Sequence, residues 1–257
     1  MSAAVTSRPE LVSVAPATVP TKFFVQAHTI AKTALKQSKI AGFFGSPGTG
    51  KTTAITEFCG RCGVPSIYIS AAVMPQRKEI YEEILLGSVG AFSPKATARE
   101  LRRECEAVLS SCPWVVVVDE CHNLRNMWHQ QLRGLHDAAR FCLLLVGTAD
   151  AADNLKRDGQ LWSRVKLRMW FDTLEGAELV NVLHKMHPVL ANTNPNLLME
   201  VDRRDCRGNL RDWGAILDLA LPLLPNTRTP DRLGERVVKA EPPGIPGRFT
   251  VLLQRGR

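Results

Sequence analysis

No apolar run in this 257-residue chain approaches the ~18–20 residues needed to cross a bilayer; runs such as Trp114-Val115-Val116-Val117-Val118 are far shorter. The first residues lack a basic start followed by an apolar stretch, so no leader peptide is expected, and a soluble, cytoplasmic protein is. There is no HExxH, and Cys59-x-x-Cys62 has no second close pair at zinc-finger spacing, which argues against structural zinc. Seven cysteines, an odd number, point to reduced thiols rather than a disulfide framework. His122, His129 and His136 recur every seven residues, but no acidic partner stands at metal spacing, so they are expected as surface or half-buried histidines. What remains is ordinary globular composition, 45% hydrophobic and 23% charged, with a net charge of +8 from 33 basic and 25 acidic residues. That charge agrees with a nucleic-acid partner without requiring one.

Residues 1–20, with Pro9, Pro16 and Pro20, read as an extended arm. From Thr21 to Trp170, five short apolar strands alternate with helices: 40–44, 66–69, 114–118, 142–146 and 165–170. This pattern predicts an α/β fold with a five-stranded parallel sheet covered on both faces. The β-branched run before Asp119 suits a strand buried on two sides. Pro75 is expected to open a helix through Leu86, and Thr97 another. From Glu175 only helical periodicity remains, so residues 21–172 form the core and 173–225 a small helical domain. Residues 226–257 are Pro- and Arg-rich with little periodicity and are expected to be a tail.

Gly45-Ser46-Pro47-Gly48-Thr49-Gly50-Lys51-Thr52 fits G-x-x-x-x-G-K-[ST] between a predicted strand and a predicted helix, with Thr53 following. The glycines let backbone N–H groups turn inward on phosphate oxygens, and the helix presents its positive end to them. Lys51 reaches the β- and γ-phosphates, and the Thr52 hydroxyl suits Mg²⁺. Asp119-Glu120 ends a strand taken to lie beside this loop. Asp119 then joins the Mg²⁺ shell, and Glu120 orients or deprotonates an attacking water. Thr148 ends the next strand, where it would touch the γ-phosphate or the water. Arg164, with Arg157 as rival, is placed to reach a neighbouring protomer's γ-phosphate, and Arg211, opening the last helix of the small domain, is expected to sense the bound nucleotide from there.

These elements in this order resemble an AAA+ ATPase with a helical lid. The stretches VVVVDECHNL, LLLVGTADAADNLKRDGQLWSRVKLRMWFDTLEG and CRGNLRDW look, more narrowly, like the ATPase subunits of transposons, the TniB, TnsC and Mu B group, over about residues 21–225. The resemblance implies a bacterial, DNA-associated ATPase using ATP and Mg²⁺. It would oligomerise on double-stranded DNA as a filament or ring and recruit or stimulate a transposase, with a target-selection protein as a further partner. Carried over, its DNA contacts are Gln76, Arg77, Lys78, Lys95 and Thr97. A helicase loader or initiator, a nucleotide-gated protein scaffold and a small-molecule kinase are the competing readings; Glu120 and the helical lid count against the kinase.

Overall fold

The structure is a computed structural model that describes residues 17–71, 79–124, 126–157, 159–221, 233–238 and 251–253. In chain order the core carries α1 (Lys22–Lys36), β1 (Ile40–Gly45), α2 (Lys51–Arg61), β2 (Ser66–Ser70), α3 (Glu79–Val89), α4 (Ala98–Ser111) and β3 (Val115–Asp119). A 3₁₀ turn (Cys121–Asn123) follows, then α5 (Asn126–Ala139), β4 (Cys142–Gly147), α6 (Ala149–Arg157), α7 (Gly159–Trp162) and β5 (Val165–Phe171). The five strands form one parallel sheet in the order β2-β3-β4-β1-β5. Strand β4 lies between β3 and the strand that precedes the Gly-rich loop.

The three inner strands are buried at every position, whereas β2 and β5 alternate as edge strands do. Strand parity divides the core into two apolar layers. Ile40, Phe44, Val116, Val118, Leu143 and Leu145 pack with residues of α3 to α7. Ala41, Phe43, Val115, Val117, Leu144 and Val146 pack against α1 and α2 through Ala31, Ala34, Ala54 and Ile55. Thr21 caps α1, its hydroxyl accepting from the Phe24 amide at 3.1 Å. The helix expected from Pro75 runs from Glu79 among the described residues, and Pro75 itself lies outside them. His129 and His136 sit on α5 and are buried, not superficial, because the face they share packs inward; His122 precedes that helix in the 3₁₀ turn.

The chain folds as two compact units, Pro20–Thr173 and a second built from Leu174 onward together with the residues before Pro20. The second unit holds α8 (Gly176–Met186), α9 (Pro188–Ala191), α10 (Pro195–Val201), a π-helical turn (Asp202–Cys206) and α11 (Leu210–Ala220). In it the Ala17 amide donates to the Met186 carbonyl at 3.0 Å. Beyond α11, Leu233–Val238 (β6) and Val251–Leu253 (β7) pair antiparallel where an unpatterned tail was expected. These apolar runs are too short for their periodicity to stand out between prolines.

Candidate nucleotide site

Gly45 ends β1 with φ +148°, and a Cβ there would stand 2.1 Å from the Phe171 carbonyl oxygen, so only glycine fits where β1 turns away from β5. The loop is then held by its own side chains. The Thr49 hydroxyl donates to the Ser46 carbonyl at 2.8 Å, and Lys51 Nζ donates to the Gly45 and Ser46 carbonyls at 2.9 and 2.7 Å. Both side chains are buried, while Ser46, Pro47, Thr52 and Thr53 are exposed and Gly48 and Gly50 half-buried. Gly50 caps α2 with φ 88°, a left-handed conformation that lets the chain enter the helix from a tight loop. The first turn of α2 points its amides to this end, the geometry of an anion site.

From the far side of β4, Asp119 reaches the same helix. Its Oδ2 accepts from the Thr52 hydroxyl at 2.9 Å and from the Tyr68 phenol, and its Oδ1 accepts from the Glu120 amide at 2.7 Å. Asp119 is 7% exposed. Among the described residues its hydrogen-bond donors are all neutral. Burial, and then the bond to Asp119, push the Tyr68 phenol well above its ordinary range. Glu120 has φ 54° and ψ 35°, left-handed without being glycine, a conformation that costs about 1 kcal/mol or more and turns the chain sharply after β3. Its carboxylate is half-exposed, with Oε2 3.3 Å from His122 Nδ1.

Thr148 is half-buried, and its carbonyl accepts from the Ala151 amide at 3.1 Å, opening α6. Just before it, a Cβ on Gly147 would meet the Ala151 Cβ at 2.7 Å and the Cys121 Sγ at 2.8 Å. The end of β4 is thus fitted against the turn that follows Glu120. Arg164 makes a bidentate pair with Asp137, Nε to Oδ1 and Nη2 to Oδ2 both at 2.8 Å, which holds the Asp137 carboxyl below its usual range. Arg157 is exposed at the end of α6.

In the second unit, the Asn209 side chain caps α11 by accepting from the Arg211 amide at 2.9 Å, leaving Arg211 exposed in the first turn. Asp202 Oδ1 accepts from the Gly208 amide at 2.8 Å and from Trp213 Nε1 at 3.0 Å, fixing the turn before that helix. Of the expected DNA contacts, Gln76, Arg77 and Lys78 lie outside the described residues. Lys95 is exposed, and Thr97 forms a capping box with Glu100 that engages its hydroxyl.

The structure thus brings Lys51, Thr52, Asp119 and Glu120 to one place and sets Arg164 in a surface ion pair. Sequence reasoning passed over Tyr68. The available signal was a rare residue, one of two tyrosines in the chain, in an otherwise aliphatic edge strand.

Among the described residues no helix is long and apolar enough to cross a membrane, and no cluster of His, Cys, Asp and Glu is arranged to hold a metal by itself. No curated protein matches the sequence. Solved structures share the fold. Cdc6p from Pyrobaculum aerophilum is similar at 18% identity and a TM-score of 0.67, over 83% of this chain and 64% of that one. The structure of Drosophila ORC bound to DNA is similar at 16% and 0.57, over 87% and 65%. The Thermotoga maritima RuvB Holliday junction branch migration motor is similar at 17% and 0.55, over 81% and 62%. The chain therefore spans slightly under two thirds of each of these proteins. The family described as "AAA domain" matches residues 35–155. The core has the P-loop AAA+ fold.

Proposed function

We propose that this protein is an ATPase that assembles on double-stranded DNA when ATP-bound and regulates a transposase, with hydrolysis releasing the assembly. The observation that carries the ATPase reading is the Thr52–Asp119 hydrogen bond of 2.9 Å. It joins the helix of the phosphate loop to a buried carboxylate whose donors are all neutral, and a buried carboxylate of this kind calls for a cation. The oxygens present suit Mg²⁺, which is bound through one or two protein oxygens, water and substrate phosphates. When bound, that ion would supply charge neutralisation at the β- and γ-phosphates. Lys51 would exchange its two carbonyls for phosphate oxygens, and the amides opening α2 would hold the remaining charge. Glu120 would orient the attacking water and take its proton, with Thr148 on the opposite side of that water. Arg164 or Arg157 would complete a neighbouring protomer's site; for Arg164 this means exchanging Asp137 for phosphate, one bidentate anion for another.

The transposition reading rests on the resemblance of the segments around Asp119, Gly147 and Asn209. An initiator or helicase loader is the second reading, favoured by the likeness to Cdc6p and to ORC, which was solved bound to DNA. DNA contacts through Gln76, Arg77, Lys78, Lys95 and Thr97 would give little sequence preference and a steep salt dependence. The test is electron microscopy of the protein with double-stranded DNA, with and without a slowly hydrolysed ATP analogue. Filaments or rings on DNA only with nucleotide are expected, lost in Lys51→Ala. Glu120→Gln should assemble without disassembling, its turnover down by ~10²–10⁴. Stimulation of a co-encoded transposase separates regulation of transposition from helicase loading. Assembly that ignores DNA sinks the DNA reading and leaves a protein scaffold.

A further inference from the structure

Tyr68 belongs to none of the motifs, yet it occupies one of the oxygens of the carboxylate on which the site depends. Strand β2 pairs with β3 in the register Tyr68↔Val117 and Ser70↔Asp119. In parallel strands, partners point to the same face, and so do residues two apart on one strand. Tyr68 therefore shares the face of Asp119 from one step back on the edge strand, a diagonal distance that only a long side chain spans. Its phenol does so and donates to Asp119 Oδ2, the oxygen that also accepts from Thr52. The ring is 43% exposed while Asp119 is 7% exposed. One side chain thus closes the open edge of the sheet over the carboxylate and turns that carboxylate toward α2.

We infer that Tyr68 is a positioning residue for the metal–nucleotide site, its phenol hydroxyl on the edge strand holding the Asp119 carboxylate in register with Thr52. The inference rests on the ATPase reading and deepens it. Two of the donors on Asp119 belong to elements that any P-loop protein needs, the Thr52 hydroxyl and the backbone of the next residue. The third is particular to this strand, because alternation on β2 offers only Ser66, Tyr68 and Ser70 on that face, and a serine at position 68 would be too short. Without the phenol, Oδ2 keeps a single bond, to an exposed threonine, and beside the Glu120 amide on Oδ1 the carboxylate is less firmly fixed. The metal then meets a carboxylate that must be ordered on binding, whereas the nucleotide alone meets an unchanged loop.

Two variants separate the hydroxyl from the ring. Tyr68→Phe keeps the cover and removes the donor; Tyr68→Ala removes both. The measurement is binding of a fluorescent ATP analogue to the full chain in EDTA and across a Mg²⁺ titration, with Mn²⁺ affinity by electron paramagnetic resonance in the presence of ADP as the second readout. For Tyr68→Phe, affinity in EDTA stays at the wild-type value, while the Mg²⁺ concentration at half-effect and the Mn²⁺ dissociation constant rise about tenfold, the lower end of what a hydrogen bond to a charged group supplies. Tyr68→Ala moves further in the same direction. Equal metal dependence in Tyr68→Phe and wild type overturns the inference alone, as does a loss of affinity that is the same in EDTA, which would mark a general structural role. Wild-type protein that binds no nucleotide, with or without Mg²⁺, overturns the ATPase reading and this inference with it.

Discussion

Asp119 and Asp137 are two carboxylates of the same core unit in opposite circumstances. Asp137, at the surface of α5, faces a guanidinium that satisfies both of its oxygens. Asp119, at the buried end of β3, is held by a hydroxyl, a phenol and an amide, all neutral. A carboxylate kept from water is costly unless its charge is answered, and among the described residues the donors on Asp119 supply geometry without charge. The difference separates a local clip, complete within the chain, from a carboxylate that under the proposed ATPase reading would be completed by a metal ion.

Replacing each carboxylate by its amide breaks that contrast most directly. Asp119→Asn should weaken Mg²⁺-dependent nucleotide binding by about ten- to hundredfold or more while leaving the melting temperature close to wild type. Asp137→Asn should leave nucleotide binding alone and cost about 0.5–1 kcal/mol of stability in urea denaturation. Similar binding losses in both variants would end the distinction. An intermediate effect is expected at the joint between the two strand ends. Gly147→Ala places a methyl within 2.8 Å of Cys121 Sγ and should cost about 1–3 kcal/mol by overpacking, a fall of several degrees in thermal melts. Because that methyl also displaces Thr148, turnover should drop by a larger factor than nucleotide affinity; a stable, fully active variant would show that the fit there is loose.

The smallest effect concerns His136, beside Asp137. Burial lowers its pKa below the ordinary 6.5, with Nε2 3.0 Å from the Ser38 carbonyl, so the folded state favours the neutral ring. Its contribution is full above pH 6.5 and is lost as pH falls through the lowered value, because the unfolded chain takes up the proton first. His136→Gln should flatten the decline in urea midpoint between pH 7.5 and pH 5.5; an unchanged slope would place the pH dependence on other groups.

The Gly-rich loop, the five strands and the helices of the second unit were legible in the sequence because each is written in neighbouring residues. Gly45 to Thr52 specifies its own turn, and Val115 to Val118 can only be a covered strand. Strand order is not local: nothing in residues 40–45 says that their partners are 142–147 and 165–171. That β4 stands between β1 and β3 could not be read from the sequence, although Asp119 meets Thr52 across it. Tyr68 escaped for the same reason, since its meaning depends on which strand lies beside it. The Arg164–Asp137 pair spans 27 positions and two helical segments, and no spacing rule reaches that far. The β6–β7 pair was missed because Leu233–Val238 and Val251–Leu253 are short and set among prolines.

The placement of β1 has a consequence for how the chain is made. Ile40 has Leu143 on one side and Val165 on the other, so the first strand to leave the ribosome waits for the fourth and fifth before it has any partner in the sheet. Until then Phe43 has α1 and α2 to lean on, while Phe44 faces the layer still to be made, and neither has a ladder. Sheets closed by such distant pairings form slowly and leave sticky edges exposed in the meantime. A nascent chain halted before Cys142 would hold a complete phosphate loop on an unpaired strand, so the loop acquires its rigid support only near the end of the core's synthesis.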